Sequence, residues 1–109
     1  MTLSAYQFMW VLAMFDLPVV TPQHRKAYAR FRQDLLNDGF TMMQYSVYIR
    51  HCPNAENAEV HVKRIEESLP DEGELRVMLI TDKQFERMRL YRGKQREDLE
   101  TPAAQLELF

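Results

Sequence analysis

The sequence has a single cysteine, Cys52, so an internal disulfide is excluded. Neither Cys52 nor the three histidines stand at the spacing of a zinc site, which argues against structural zinc. Long apolar runs are also missing: the longest, residues 8–15, is far shorter than the roughly 20 residues that cross a bilayer. No basic start or small-residue cleavage site precedes it. These absences predict a cytoplasmic protein that does not enter a membrane.

Familiar catalytic and repeat patterns are missing as well. No glycine-rich phosphate loop, Ser-His-Asp arrangement or internal repeat is visible, and the 109 residues include only three glycines. The net charge of −2 gives no general attraction to nucleic acid. The charges are nevertheless uneven, because residues 83–96 carry Lys or Arg at every charged position except Glu86. The length is that of one domain.

Residues 6–16, YQFMWVLAMFD, are almost entirely apolar and end in an aspartate. Because side chains alternate along a strand, both faces of this strand are apolar, as in a central strand covered on both sides. Leu17-Pro18 prevents the strand from continuing. Asp16 therefore lies where the strand leaves the core, a position that often carries ligand-binding groups in α/β proteins. The alternative is an aspartate that forms a turn or caps a helix.

The first half of the chain continues with a helix and a β segment. Thr21-Pro22 is a typical helix start, and Gly39 is placed to end the helix. Residues 40–51 are rich in β-branched and aromatic side chains, which indicates β structure. The segment is long for one strand, and we place a reversal near residues 44–46.

The second half repeats this order. Asn54 can cap a second helix, and the turn at residues 70–73 ends it. Residues 74–81 are apolar on both faces apart from Arg76, which predicts a second central strand. Thr81-Asp82 then begins a short helical turn.

The resulting order, β-α-β-β-α-β, predicts a ferredoxin-like α+β fold with a four-stranded antiparallel sheet and two helices on one face. We assign residues 1–93 to this domain and residues 94–109 to a C-terminal tail, in which residues 105–109, with two leucines and a phenylalanine, are predicted to form a docking strand. The sheet face without helices must be hidden, and a sheet-to-sheet homodimer is the simplest solution.

The predicted topology indicates which carboxylates could bind a metal ion together with Asp16. The first and last strands of the fold are antiparallel neighbours, so Asp82 lies at the opposite end from Asp16 and cannot share its metal. Mg²⁺ is held by one or two carboxylates with water and phosphate, and two-fold symmetry would supply a second Asp16. Glu72 and Glu74 can approach Asp16, although turn roles are the simpler interpretation. His24 and His51 are acid-base candidates in principle only.

Basic side chains on the first helix form a second candidate site. They lie on the two flanks of its apolar stripe, and they are Arg25 and Arg32 on one side, Lys26 and Arg30 on the other. Lys and Arg neutralise nucleic-acid backbones, so phosphate binding is one interpretation, and a solvated helix face is the other.

Several segments together resemble one known family. The strand ending at Phe15-Asp16 is followed by R-K-A-Y-x-R-F-R at residues 25–32, L-L-x-x-G-F at 35–40 and Q-Y-S-V-Y at 44–48. This combination resembles CRISPR-associated protein two, the smaller of the two spacer-acquisition proteins. Residues 81–88, T-x-K-Q-F-x-R-M, resemble the version in type II systems. The similarity covers residues 5–93.

The resemblance implies a ferredoxin-like homodimer that bridges two dimers of a companion integrase and contacts the backbone of a prespacer DNA duplex. It implies a Mg²⁺-dependent endonuclease acting on RNA or double-stranded DNA, with Asp16 of each subunit as the metal ligand and Ser46 as a nearby polar group. It extends the candidate nucleic-acid contacts beyond the first helix to Arg87, Arg89 and Arg92.

Two alternatives to this scaffold role remain open. One is a free-standing metal nuclease. The other is an RNA-binding module of the same topology, which would stack bases on exposed aromatics such as Tyr6, Phe8 and Trp10.

Overall fold

The computed structural model describes residues 7–97, which form an antiparallel sheet with two long helices on one face. The elements in chain order are β1 (Met9–Asp16), α1 (Pro22–Asn37), β2 (Thr41–Gln44), β3 (Val47–Cys52), α2 (Ala55–Ser68), β4 (Glu74–Thr81), α3 (Asp82–Glu86), β5 (Leu90–Arg92) and β6 (Gln95–Glu97). The four long strands lie in the order β2-β3-β1-β4, and β5 and β6 form a separate hairpin. This architecture confirms the predicted ferredoxin-like α+β fold.

Local signals place the helix ends where the sequence predicted them. Thr21 caps α1: its Oγ1 accepts a hydrogen bond from the His24 N–H at 3.0 Å, and Pro22 occupies the first turn. Gly39 follows the end of α1 with φ of 89°, a conformation that favours glycine. Asn54 caps α2 through its side-chain oxygen.

The core lies between the helices and the face of the sheet that we call the near face. Alternate residues of β1, from Met9 to Phe15, are buried there against both helices. The helices contribute Phe31, Leu35, Ala58 and Ile65. β1 is flanked by β3 and β4, so its prediction as a central strand is confirmed.

The opposite face, the far face, is covered at one end by the chain itself. Phe85 of α3 is fully buried there and stacks on Trp10 with ring centroids 4.1 Å apart. A capping box at Thr81 begins α3 directly after β4 and turns the chain back over the sheet. We call this the covered end; at the open end, Met14 is half-buried and Met78 is 53% exposed. The expectation that the chain itself leaves the far face uncovered is therefore wrong at the covered end.

The structure corrects the prediction that β4 is a central strand. β4 lies at the edge of the sheet, beside β1 alone within residues 7–97. Its apolar pattern has a different cause: Leu75, Val77 and Leu79 pack on the near-face core, whereas Met78 lies on the open end of the far face.

β6 is an element that the sequence analysis missed. It pairs with β5 across a turn that contains Gly93. It therefore lies beyond residue 93, where the sequence predicted the domain to end. The docking strand predicted for residues 105–109 lies outside the described residues. None of the helices within residues 7–97 has the length and apolar character required to span a bilayer.

Candidate metal and nucleic-acid site

Asp16 lies at the last position of β1 with its side chain exposed to solvent. Alternation along β1 places it on the far face, at the open end, two residues beyond Met14. Glu74, the first residue of β4, is directly opposite Asp16 in the antiparallel register, so the two carboxylates share one face. The sequence prediction that Glu74 can approach Asp16 is confirmed, and Glu74 belongs to a strand rather than to a turn.

Gly73 allows the chain to pass close to the Asp16 backbone and to Leu17. Its φ of 112° is a conformation that residues with side chains rarely adopt. A Cβ atom at this position would lie 2.5 Å from the Leu17 Cδ2 and 2.8 Å from the Asp16 carbonyl oxygen. The end of β1 is therefore held against the start of β4 by a contact that only glycine fits.

The turn between β2 and β3 borders Asp16 on the other side. The Phe15 N–H donates a hydrogen bond of 3.0 Å to the Ser46 carbonyl oxygen, and the Ser46 Oγ lies 3.1 Å from the Tyr28 hydroxyl. Ser46 has φ of 62°, in the left-handed region. Ser46 therefore has a clear role in positioning this turn.

Tyr45 is an aromatic residue of this turn that the sequence analysis did not select. It is 76% exposed and stacks on Tyr28, with ring centroids 6.2 Å apart and an interplanar angle of 19°. A hydrogen bond with the Tyr28 side chain raises the pKa of Tyr45 above its ordinary value. An aromatic residue at the predicted reversal was the available signal, since a turn residue is seldom part of the core.

The two histidines considered as acid-base helpers have structural partners. His24 accepts a hydrogen bond from the Thr21 N–H through Nδ1 at 3.3 Å, and its Nε2 lies 3.1 Å from Glu72. His51 Nε2 lies 3.3 Å from Asp82 Oδ1, at the covered end. The structure thus separates His51 from Asp16 and employs His24 in fixing the start of α1.

The Asp16 carboxylate can supply one oxygen ligand to a hard cation such as Mg²⁺. Within residues 7–97, no group of three or more His, Cys, Asp or Glu side chains is arranged to hold a metal ion. Asp16 is an exposed carboxylate without an ion pair to any described residue. Mg²⁺ keeps several waters and needs one or two carboxylates. The described residues of one chain therefore provide only part of a Mg²⁺ site.

The two flanks of α1 differ in their surroundings. Lys26 and Arg30 line a groove between α1 and α2 whose other charged members are Asp34, Glu67 and Asp71. Arg25 and Arg32 lie on the opposite flank, beside Tyr28, and the Arg25 guanidinium donates hydrogen bonds to the carbonyl oxygens of Val19 and Val20. We call Arg25 and Arg32 the arginine flank.

The C-terminal arginines lie far from Asp16. Arg87, Arg89 and Arg92 are exposed and follow α3, which begins at the end of β4 remote from Asp16. The eight residues of β4 separate the two regions by roughly 25 Å at about 3.3 Å per residue. One chain therefore does not bring these arginines and Asp16 into a single site.

The sequence matches one known protein family over most of its length. The family model "CRISPR associated protein Cas2" matches residues 9–88, most of the chain. The chain belongs to the Cas2 family. The matched region includes Asp16, Ser46, the basic residues of α1 and Arg87, whereas Arg89 and Arg92 lie beyond it.

Individual members of the Cas2 family are similar over nearly their whole length. The chain is 62% identical over 101 residues to the CRISPR-associated endoribonuclease Cas2 of Parvibaculum lavamentivorans, covering 93% of this chain and 100% of the relative. It is 52% identical over 107 residues to the protein of the same name in Flavobacterium psychrophilum, covering 98% and 93%. The Paracidovorax avenae protein is 39% identical over 107 residues, covering 98% and 99%. The resemblance to CRISPR-associated protein two is thus confirmed.

Proposed function

We propose that this protein is a CRISPR adaptation subunit that acts as a homodimer, bridges dimers of a companion integrase and binds the backbone of prespacer DNA. We further propose Mg²⁺-dependent phosphodiester hydrolysis at a symmetric pair of Asp16 carboxylates. Cas2 family membership supports the adaptation role, and the endoribonuclease name of the relatives supports RNA as the substrate cut.

The observation that carries the proposal is the position of Asp16 at the open end of the far face. Asp16 is exposed there two residues beyond half-buried Met14, and the 53% exposed Met78 lies farther along the same face, opposite Leu12. Exposed apolar surface on a sheet face favours association. A second copy packed two-fold on the open end would cover both methionines and bring the two Asp16 carboxylates toward each other.

The metal would be held by Asp16 from each copy, with water and substrate phosphate as the remaining ligands. When bound, Mg²⁺ activates a water and stabilises the charge that develops on the phosphodiester. The chain's own contribution is rigid placement: Gly73 and the Ser46 carbonyl hold the end of β1 from both sides. Glu74 adds a second carboxylate per chain, partly offset by the Arg76 guanidinium 3.7 Å away.

The decisive experiment compares Asp16→Asn with Glu74→Gln as the matched control. We expect Asp16→Asn to lower Mg²⁺-dependent RNA cleavage by about 100-fold or more, the order of loss for removing a directly acting group. Glu74→Gln should change it only a few-fold. Equal cleavage by wild type and Asp16→Asn would exclude Asp16 as the catalytic ligand.

The same variant separates scaffold from nuclease. If spacer acquisition in cells survives Asp16→Asn while cleavage is lost, the scaffold role does not need the nuclease. Loss of acquisition, with normal dimer formation and integrase binding, would instead show that acquisition needs the nuclease activity.

Backbone binding is tested by charge reversal on α1. Arg25→Glu with Arg32→Glu should weaken duplex binding equally for all sequences and reduce the dependence of affinity on salt. Lys26→Glu with Arg30→Glu is the matched control, and we expect a smaller effect because acidic side chains share their groove. An unchanged salt dependence in the Arg25 and Arg32 variant would remove α1 from the DNA contact surface.

The predicted docking strand is tested by removing residues 105–109. Truncation should lower integrase binding or dimer stability, since a terminal strand adds main-chain hydrogen bonds to an exposed sheet edge. Unchanged values of both would dismiss the docking strand.

A further inference from the structure

Tyr45 is the most exposed aromatic residue among the side chains that the structure describes. An aromatic ring left in water gains none of the stabilisation that burial provides, so folding of the chain does not explain it. One face of the ring is directed toward Tyr28, at a centroid distance of 6.2 Å, and its 76% exposure leaves the remaining surface open to solvent.

The Tyr45 ring is held in place before any ligand arrives. Ser46, the next residue, accepts a hydrogen bond from the Phe15 N–H and contacts the Tyr28 hydroxyl. Stacking on Tyr28 restricts the ring further. A surface ring ordered in this way loses little conformational entropy on binding, which favours its use as a contact.

The charges around Tyr45 suit a polyanion. Arg25 and Arg32 lie one helical turn before and after Tyr28 on the same flank of α1. The Asp16 backbone lies close to this turn, because the preceding Phe15 N–H donates a hydrogen bond to the Ser46 carbonyl, but the Asp16 side chain belongs to the far face and the Tyr45 ring to the side of α1.

We propose that Tyr45 is a stacking platform for one unpaired nucleobase, with the arginine flank binding the adjoining phosphates. The inference rests on the proposed function and adds the form of nucleic acid bound at this turn: a single strand or an unpaired end. Bases inside a duplex are already stacked on both faces, so a blunt duplex has no unpaired base to offer.

A second copy of the chain is a weaker explanation for the exposed ring. Tyr45 stacks on α1, which covers the near face, whereas the apolar open end belongs to the far face. Pairing through the open end therefore leaves Tyr45 accessible.

Binding measurements on the full-length dimer test the platform. The probes are a short single-stranded RNA and a blunt RNA duplex of the same sequence, both fluorescently labelled. Tyr45→Ala should weaken single-strand binding by about five- to 100-fold, the loss typical of one stacked base, and leave duplex binding unchanged. Tyr45→Phe and Tyr45→Trp should bind like wild type, because the ring carries the contact.

Tyr91→Ala is the matched control, since Tyr91 is 53% exposed on β5 and plays no part in the inference. It should bind both probes like wild type. Equal single-strand affinity of wild type and Tyr45→Ala would overturn the inference, as would a change in dimer formation caused by Tyr45→Ala.

A second experiment asks whether the ring contacts a base. One abasic nucleotide is moved along the single strand, and we expect one position to reproduce the loss caused by Tyr45→Ala. At that position the two changes should not add, because they remove the same contact. Additive losses at every position would overturn the inference while leaving the proposed function intact. Failure of wild type to bind either RNA probe would overturn both the inference and the proposed RNA cleavage.

Discussion

The far face of the sheet carries an aspartate at each end, and the two side chains differ in their partners. At the covered end, Asp82 accepts a hydrogen bond from the Trp10 indole N–H and lies 3.3 Å from His51 Nε2. At the open end, Asp16 is exposed and forms no ion pair with the described residues. The comparison separates a structural acid, whose partners explain it, from an acid to which residues 7–97 offer no ion-pair partner.

The apolar residues of the two ends differ in the same way. Phe85 and Met88 fold back onto Trp10 at the covered end, whereas Met14 and Met78 have no such cover at the open end. Stability should therefore depend on the covered end, and association and activity on the open end. The following predictions test this division, beginning with the largest effect on stability.

Phe85→Ala should destabilise the protein by about 3–5 kcal/mol, the usual cost of removing a buried phenyl ring. The ring is fully buried against Trp10, so the covered end loses its cover. Urea unfolding at several protein concentrations measures the change.

Alkylation of Cys52 gives a second measurement of unfolding. The thiol is buried in the folded protein, and burial raises its pKa, so alkylation at mildly basic pH should be slow until the chain unfolds. A loss below about 1 kcal/mol would mean that α3 is not an integral part of the fold.

Gly73→Ala should cost at least about 2 kcal/mol, because it combines an unfavourable backbone conformation with a steric clash. The clash is with Leu17 and with the backbone of Asp16. Gly93→Ala is the matched control: its φ of 63° is also positive, but nothing lies within 4 Å of the added Cβ. We expect about 1 kcal/mol there, from the left-handed conformation alone. Equal costs in urea unfolding would contradict the close approach behind Asp16.

Asp82→Ala should cost about 1–3 kcal/mol, since it leaves the Trp10 N–H and His51 without their partner. Asp16→Ala should change stability by less than about 0.5 kcal/mol, as expected for an exposed side chain. Thermal or urea unfolding of the two variants, measured side by side, tests the contrast between the two acids. The contrast fails if Asp16→Ala is the more destabilising change.

Met78→Lys should have the smallest effect on the folded monomer, below about 0.5 kcal/mol, because Met78 is already half-exposed. It should nevertheless weaken the proposed dimer, since a charge would be buried in the open end. Sedimentation across a range of concentrations measures this association. Val60→Lys on α2 is the control, with Val60 44% exposed on the helical side. Dimers of normal strength in Met78→Lys would move the interface away from the open end.

The sequence predicted well whatever depends on neighbouring residues. Thr21 and Asn54 begin helices because their side chains reach N–H groups three residues later. β1 was recognised as central from its apolar faces, and Asp16 was placed at its end. The His24–Glu72 contact was beyond such reasoning because it joins residues 48 positions apart.

The errors have the same origin. The apolar pattern of β4 indicates burial but does not show which segments bury it. It therefore predicts a central strand, whereas β4 lies at the edge of the sheet. Trp10 was considered for base stacking, yet Phe85 covers it. The sequence shows Tyr45 only as an aromatic residue near a reversal. The stacking of its ring on Tyr28 and its exposure to solvent depend on the turn geometry.

By itself, the sequence determined the order of strands and helices, the family and the acid at the end of β1, because hydrophobic periodicity, capping residues and motifs are local. Only the tertiary structure decided which acid is left unpaired, which end of the far face stays open and which aromatic ring meets solvent. Those properties depend on which distant segments meet, and α3 can cover one end of the sheet only after the sheet has formed.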